Sequence, residues 1–231
     1  MLNIHRNLSV ERGVPTAIFT LEMSSETLAM KLLALEAGVD FSKLVSGHLS
    51  RKDLQELAKA VGKLKDAPLY LDDTPNIPIS ELRAKARRVV YEKGIKLISV
   101  DYIQIVRGPR AENRQQTITY LSQSLKALAR ELEIPLVVIS QLNRNPERED
   151  RPPRLSDLRE SGALEQDADV VMFLHPAEQT SQDTQLVEVL VRKNRNGPQG
   201  HRRLLFLKAK GKFESVAPEE AGYIEYEDLE F

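Results

Sequence analysis

Residues 97–101, Leu97-Ile98-Ser99-Val100-Asp101, form an apolar run that ends in a carboxylate. The apolar character begins at Ile95 and is nearly continuous, which is typical of a strand buried on both faces of a parallel sheet. Such sheets bind ligands beyond the carboxyl ends of their strands, and Asp101 occupies that position. The stretch therefore predicts a buried strand with an acidic ligand site at its end.

Other apolar runs alternate with helix-length segments on both sides of this strand. Strands are predicted at Thr16–Leu21, Leu69–Leu71, Leu136–Ile139 and Val170–Leu174, and helices from Ser24 onward and over Leu54–Val61, Ile79–Tyr91 and Thr117–Leu132. This alternation implies right-handed crossovers and an α/β fold with a mostly parallel twisted sheet flanked by helices. After residue 185, Val187–Val191 and Leu204–Leu207 predict a C-terminal antiparallel hairpin.

The composition narrows the class of protein. The 231 residues carry a formal net charge of -1, which excludes a generally basic nucleic-acid binder but allows a local basic surface. No cysteine is present, so disulfides and cysteine-bound metals are excluded. The first residues are too polar for a signal peptide and no apolar run is long enough to span a membrane, so we expect a soluble cytoplasmic protein.

Three polar side chains follow predicted strands and suit phosphate chemistry. Asp101 can hold Mg²⁺, directly or through water, beside nucleotide phosphates. Glu22 can polarise the water that attacks in hydrolysis. Gln141 can donate a hydrogen bond to a γ-phosphate or orient a water. Taken singly, these residues are better explained as a cap or turn residue, a surface acid and a turn residue.

Two turn-forming segments carry further charge. Lys193 and Arg195, separated by one residue, point to the same side of an extended chain and suit a phosphate site of a neighbouring subunit, as an arginine finger does. The irregular stretch Asp157–Gly162 can contact the phosphate backbone of DNA through Arg159 and its backbone NH groups. Alone, the first is better explained as a solvated hairpin tip, and the second has the alternative of a charged surface loop.

Taken together and in this order, the motifs resemble the C-terminal motor domain of the DnaB-type bacterial replicative DNA helicases, over residues 1–215. The resemblance rests on Leu21-Glu22-Met23, Asp101-Tyr102-Ile103-Gln104, Ser140-Gln141-Leu142-Asn143-Arg144, Asp157-Leu158-Arg159-Glu160-Ser161-Gly162 with Glu165-Gln166-Asp167-Ala168-Asp169, and Lys193-Asn194-Arg195-Asn196-Gly197-Pro198. The fourth and fifth of these motifs argue against a recombinase or a clock-type ATPase.

The resemblance implies a RecA-like fold, a homohexameric ring and ATP-driven 5′-to-3′ translocation on single-stranded DNA, with ATP and Mg²⁺ as cofactors. It also implies a primase and a helicase loader as partners. Carried over by motif, Glu22 is the catalytic carboxylate, Asp101 the Mg²⁺-site acid and Gln141 the γ-phosphate sensor. By the same resemblance, Lys193 and Arg195 act on the nucleotide bound by the neighbouring subunit. Arg159, Glu160 and Gly162 lie on a loop that faces the central channel of the ring and contacts DNA.

One feature of the family is not found in the sequence, which contains no Gly-x-x-x-x-Gly-Lys-Ser/Thr. In the family this phosphate-binding loop lies just before the helix that Leu2-Asn3-Ile4 continues, so we expect a chain that begins after it and a sheet that lacks its first strand. A fragment, an intein-interrupted gene and a degenerate paralogue are all compatible. We expect no ATPase activity from residues 1–231 alone.

The alternative interpretation is a non-catalytic RecA-like binding module, in a ring or with a helicase loader. It is supported by the missing phosphate-binding loop and opposed by the retention of Glu22, Asp101, Gln141 and Arg195. Residues 216–231 are expected to form an acidic C-terminal tail after the motor domain.

Overall fold

The computed structural model describes residues 1–143, 145–149, 151–158, 162–178 and 181–216. Contacts between Cα atoms divide the chain into two units, Met1–Gln141 and Leu142–Phe231. Each unit contains one four-stranded sheet. Among the described residues, no helix combines the length and the apolar character needed to cross a membrane.

The first unit is built on a parallel sheet with the strand order β2-β1-β3-β4. Its strands are β1 (Thr16–Thr20), β2 (Leu69–Asp72), β3 (Leu97–Asp101) and β4 (Leu136–Val138). Every residue of β1 and the first four residues of β3 are buried, as expected of strands covered on both faces. The predicted α/β fold and the buried strand before Asp101 are confirmed.

Helices connect and flank these strands. They are α1 (Leu2–His5, continued as a π-helix over Arg6–Glu11), α2 (Ser25–Ala37), α3 (Phe41–Ser46), α4 (Arg51–Asp66), α5 (Ile79–Lys93) and α6 (Arg114–Leu132). The predicted cap of α2 is present, since Thr27 N donates to Ser24 Oγ at 3.2 Å. α5 and α6 turn apolar stripes inward, and Leu82 and Leu121 are fully buried.

The second unit contains an antiparallel sheet with the order β5-β6-β7-β8. Its elements are β5 (Val170–Glu178), β6 (Thr184–Asn194), β7 (Gly200–Leu207), β8 (Lys212–Ser215) and the short helices α7 (Asn145–Arg148) and α8 (Gly162–Asp167). The predicted C-terminal hairpin is confirmed as β6 and β7. Residues 217–231, nearly all of the predicted acidic tail, lie outside the described residues.

The prediction that Val170–Leu174 continues the parallel sheet is wrong. β5 pairs antiparallel with β6 in the second sheet. Val171 and Phe173 are buried, whereas Val170, Met172 and Leu174 are about half-exposed. The strand is therefore covered on one face, as is common in antiparallel sheets. The sequence Val170–Leu174 is apolar without interruption because the residues on the exposed face are apolar as well.

A buried histidine joins α1 to both central strands. His5 is fully buried, with Nδ1 at 2.8 Å from Thr16 Oγ1 and Nε2 at 2.7 Å from Ser99 Oγ. Burial lowers the pKa of His5 to about 4, and the nearby N-terminal ammonium group acts in the same direction. The ring is therefore neutral at pH 7 and hydrogen-bonds one hydroxyl on each strand.

We expect His5 to remove about 2 kcal/mol from the free energy of unfolding between pH 7 and pH 5. The unfolded chain binds a proton at His5 below the ordinary pKa of about 6.5, whereas the folded chain stays unprotonated there until about pH 4. Stability therefore falls as the pH is lowered through this window. Urea denaturation at both pH values measures the loss.

The variant His5→Gln is the control, because an amide hydrogen-bonds both hydroxyls without titrating. Its stability should lack this part of the pH dependence. A pH dependence equal to that of the unmodified chain would contradict the assignment to His5.

Candidate active site

The carboxyl edge of the parallel sheet holds carboxylates on neighbouring strands. Asp101 is the last residue of β3, and Glu22 follows the end of β1 by two residues. Thr20 lies opposite Asp101, and Leu21 N donates to Asp101 O at 2.9 Å, so the two chains stay paired where the strands end. Asp101 is half-buried and Glu22 is exposed.

The two carboxylates interact electrostatically. Burial raises the pKa of Asp101, and the negative charge of Glu22 raises it further. The N-terminal ammonium group and the Lys31 side chain act in the opposite direction but do not cancel the shift. A cation bound at this edge would offset both the repulsion and the cost of holding Asp101 ionised.

Gln141 reaches the same edge from β4, the next strand of the sheet. Beyond β4 the pairing continues, since Ile139 N donates to Val100 O at 2.9 Å and Ile103 N donates to Ile139 O at 3.0 Å. Gln141 lies three residues past the end of β4 and is exposed. The structure thus places Glu22, Asp101 and Gln141 after three adjacent parallel strands.

Gln104 holds the backbone of Gln141, a role that the sequence motif containing Gln104 does not predict. Its Nε2 donates to Ser140 Oγ at 2.9 Å and to Gln141 O at 3.3 Å, while its Oε1 accepts from Gln141 N at 3.4 Å. Its backbone oxygen accepts from Arg114 Nη2 at 3.2 Å, at the first turn of α6. The sequence feature that could have pointed to Gln104 is its polar amide side chain between two apolar residues, Ile103 and Ile105.

Lys193 and Arg195 are engaged within the second unit. Lys193 Nζ donates to Glu165 O at 2.5 Å and to Gln166 O at 3.2 Å. Arg195 donates through Nη2 to Gln166 O at 3.1 Å and through Nη1 to Asp169 Oδ1 at 3.3 Å. Both cations contact one segment, as expected of residues on the same side of an extended chain, rather than standing free at the tip of a hairpin.

The loop predicted to contact DNA is only partly described. Arg159 and Glu160 lie outside the described residues, and Gly162 is the first residue of α8. The segment before them is anchored by a bidentate ion pair, in which Arg151 Nη1 and Nη2 donate to the two carboxylate oxygens of Asp157 at 2.7 and 3.0 Å. Arg151 lowers the pKa of the buried Asp157 carboxyl to about 2, and sequence reasoning missed this partner.

Asp101, with the Glu22 carboxylate nearby, fits a magnesium ion that is held jointly with phosphates and water. Mg²⁺ in nucleotide enzymes usually takes one or two protein carboxylates and completes its shell with waters and phosphate oxygens. Among the described residues, no group of three or more His, Cys, Asp or Glu side chains could form an all-protein metal cage. The single carboxylate of Asp101 at the carboxyl edge matches the first arrangement.

A parallel sheet with acidic and amide side chains at its carboxyl edge defines the class of α/β proteins that bind ligands at strand ends. Within this class, the chain belongs to the DnaB-like helicase C-terminal domain family, which matches residues 1–215. This membership agrees with the resemblance that the sequence motifs carry.

Curated relatives support the same family. The chain is 44% identical over 218 residues to the replicative DNA helicase DnaB of Geobacillus stearothermophilus, covering 92% of this chain and 48% of that protein. It is 41% identical over 218 residues to the replicative DNA helicase DnaC of Bacillus subtilis, with the same two coverages. The chain thus spans about half the length of the curated relatives it matches.

Solved structures show the same fold. One, described as an ATPase domain, superposes with a TM-score of 0.87 and 29% identity, covering 94% of this chain and 79% of that one. A DnaB-like replicative helicase, described with its interactions with primase, gives a TM-score of 0.87 and 30% identity, covering 94% of this chain and 54% of that one. The RecA-like fold expected from the motifs is therefore confirmed.

Replacing Glu22 by glutamine should lower the pKa of Asp101, because it removes the negative charge that raises this pKa. The measurement is an NMR titration of the Asp101 side-chain carboxyl carbon. Glu26→Gln is the matched control, since Glu26 is an exposed acid in the first turn of α2 and is not among the groups that shift Asp101. An Asp101 pKa that responds equally to both variants, or to neither, would refute the pairing of Glu22 with Asp101.

Proposed function

We propose that the chain is the motor domain of a replicative DNA helicase that translocates 5′-to-3′ on single-stranded DNA and unwinds duplex DNA at the replication fork. In the whole protein the motor works as a homohexameric ring driven by ATP hydrolysis. The proposal rests on one observation above all. Glu22, Asp101 and Gln141 lie at the carboxyl ends of adjacent strands of a parallel sheet in a chain of the DnaB-like helicase family.

Each residue at the edge has a separate task in ATP hydrolysis. Asp101 would hold Mg²⁺, directly or through water, and the bound ion would neutralise charge on the phosphates. Glu22 is exposed beside it and orients and polarises the attacking water. The Gln141 side chain donates to the γ-phosphate, while Gln104 fixes the backbone from which it projects.

Lys193 and Arg195 act on the nucleotide of the neighbouring subunit. The Arg195 side chain is 46% exposed, and its ion pair with the 52% exposed Asp169 is 3.3 Å long. Ion pairs at such exposure contribute at most about 1 kcal/mol. A phosphate, which forms shorter and stronger charge-assisted hydrogen bonds, competes well for the same guanidinium group.

DNA contact and partners follow from the same assignment. Arg159, Glu160 and Gly162 contact the DNA backbone, and the nucleotide state at each subunit interface moves this loop along the phosphates. A primase and a helicase loader are the protein partners we propose for the whole protein, which works in the cytoplasm. One of the similar solved structures was itself described with its interactions with primase.

A polypeptide of residues 1–231 alone should show no measurable ATP hydrolysis, with or without single-stranded DNA. Its sequence supplies no phosphate-binding loop, so the developing phosphate charge lacks a lysine and several backbone donors. Release of phosphate from ATP by the purified polypeptide is the measurement. Stimulation of that release by DNA would contradict the expectation.

Activity should appear in a chimera that places the unmatched N-terminal half of the Geobacillus stearothermophilus relative before Met1. We expect DNA-stimulated hydrolysis, and Glu22→Gln should reduce kcat by about 10²- to 10⁴-fold, the usual contribution of a general base. The affinity for nucleotide should change little, because Glu22 acts on water rather than on ATP.

Glu26→Gln is the control in the chimera, since it removes a nearby exposed acid outside the edge. A chimera that assembles and binds DNA but does not hydrolyse ATP would favour the non-catalytic binding module instead. Full activity of the Glu22→Gln chimera would remove Glu22 from the mechanism.

A further inference from the structure

The exposed face of α6 carries an open groove of about 410 Å³ in the first unit. It is lined by Asn113, Gln115, Gln116, Thr119, Tyr120 and Gln123. The opposite face of α6 is buried through Ile118, Leu121 and Leu125, so the packing of the helix does not require the groove residues. Tyr120 lies in the middle of this surface with 46% of its area exposed.

The chemistry of the groove is that of amides and an aromatic ring, without charge. All six lining residues are uncharged, in a chain in which 29% of residues are charged. Among the described residues, no side-chain hydrogen bond of Gln115, Tyr120 or Gln123 is seen, whereas Gln116 accepts from Glu112 N at 3.1 Å and donates to the Glu112 carboxylate at 3.5 Å. Amide groups hydrogen-bond the edges of bases, and an exposed aromatic ring stacks on their faces.

Charged side chains lie beside this neutral groove rather than in it, and they include the Glu112 carboxylate as well as two arginines. Arg107 and Arg110 are exposed on the segment that precedes α6. That segment runs against the helix, because a Cβ atom placed on Gly108 would be only 2.7 Å from Thr117 Cγ2. Arg107 and Arg110 therefore lie on a segment that packs against the first turns of α6, and their exposed guanidinium groups can contact phosphates.

We propose that this groove is a base-stacking site for single-stranded DNA. Tyr120 is the stacking platform, Gln123 lies along the base edge one turn away, and Arg107 and Arg110 contact flanking phosphates. The assignment rests on the proposed helicase function for its ligand class. It adds a contact in the first unit to the Arg159–Gly162 contact already proposed in the second.

The groove is also connected to the candidate active site. Arg114, the first residue of α6, donates to the backbone oxygen of Gln104, and Gln104 holds the backbone of Gln141. A shift of Gln141 toward a γ-phosphate would therefore act on the end of α6 that bears the groove.

The test is a cycle of protein and DNA changes, read by fluorescence anisotropy with the polypeptide of residues 1–231. The probes are a labelled 15-nucleotide oligothymidylate and an abasic strand of the same length. Tyr120→Ala should weaken binding of oligothymidylate by about 5- to 150-fold, the loss expected for one base stack. Its effect on the abasic strand should be less than about 2-fold, because no base is present to stack.

Two variants control for the nature of the contact. Tyr120→Phe keeps the ring and should bind oligothymidylate almost as well as the unmodified chain. Tyr91→Ala removes a tyrosine that is 93% exposed on α5 and should have no effect. Tyr120→Ala should leave the salt dependence of binding unchanged, whereas Arg110→Ala should reduce it by about one ionic contact.

Three results would overturn the proposal. Equal binding of oligothymidylate by Tyr120→Ala and the unmodified chain removes the base site and leaves the helicase function standing. Equal weakening toward both strands means that the tyrosine supports the fold rather than a base. Absence of any binding by the unmodified chain also removes the site, and the ATPase activity of the chimera then tests the motor function independently.

Discussion

The in-register parallel pairing of β1 with β3 is the constraint on which the candidate active site depends. Thr16 to Thr20 lie opposite Leu97 to Asp101, and both strands are buried almost throughout. Side chains alternate between the faces of a strand, so a slip of one residue would exchange the faces of the whole set. It would also separate Glu22 from Asp101, whose electrostatic interaction requires that both strands end together.

The buried His5 ring adds a second constraint to the same register. Because it bonds to Thr16 on β1 and Ser99 on β3, it fixes α1 over both strands at once. Ser99 and Asp101 are two residues apart and so share one face of β3. Asp101 consequently lies at the end of the face that α1 covers, where burial raises its pKa and where the N-terminal ammonium group is close enough to oppose that shift.

Strand ends and long helices were predictable from the sequence because their signals are local. The apolar run before Asp101 and the serine cap of α2 are both found where the pattern places them. The pairing of β5 was not predictable from its own residues, since Val170–Leu174 is apolar on both faces although only one is buried. Antiparallel pairing with β6 depends on residues outside the strand, so a continuous apolar run within β5 does not predict it.

The side chains that hold the candidate site together are less predictable from the sequence than those proposed to act on the nucleotide. Asp101, Glu22 and Gln141 end apolar runs and stand out as polar residues. Gln104 lies between two isoleucines after a strand, and its contacts to Ser140 and Gln141 span 36 and 37 residues of sequence. Asp157 belongs to a recognisable sequence motif. Its bidentate partner Arg151 can be assigned only from the three-dimensional structure of the loop.

Asp101 at the carboxyl edge, next to Glu22, is the proposed site for a divalent cation. The most direct measurement is an NMR titration of the chain with Mn²⁺, a paramagnetic ion that prefers the same oxygen ligands as Mg²⁺. We expect the backbone signals of residues 20–23 and 100–103 to broaden first, and Asp101→Asn to abolish this selectivity. Broadening spread evenly over the exposed acids, or an unchanged pattern in Asp101→Asn, would contradict it.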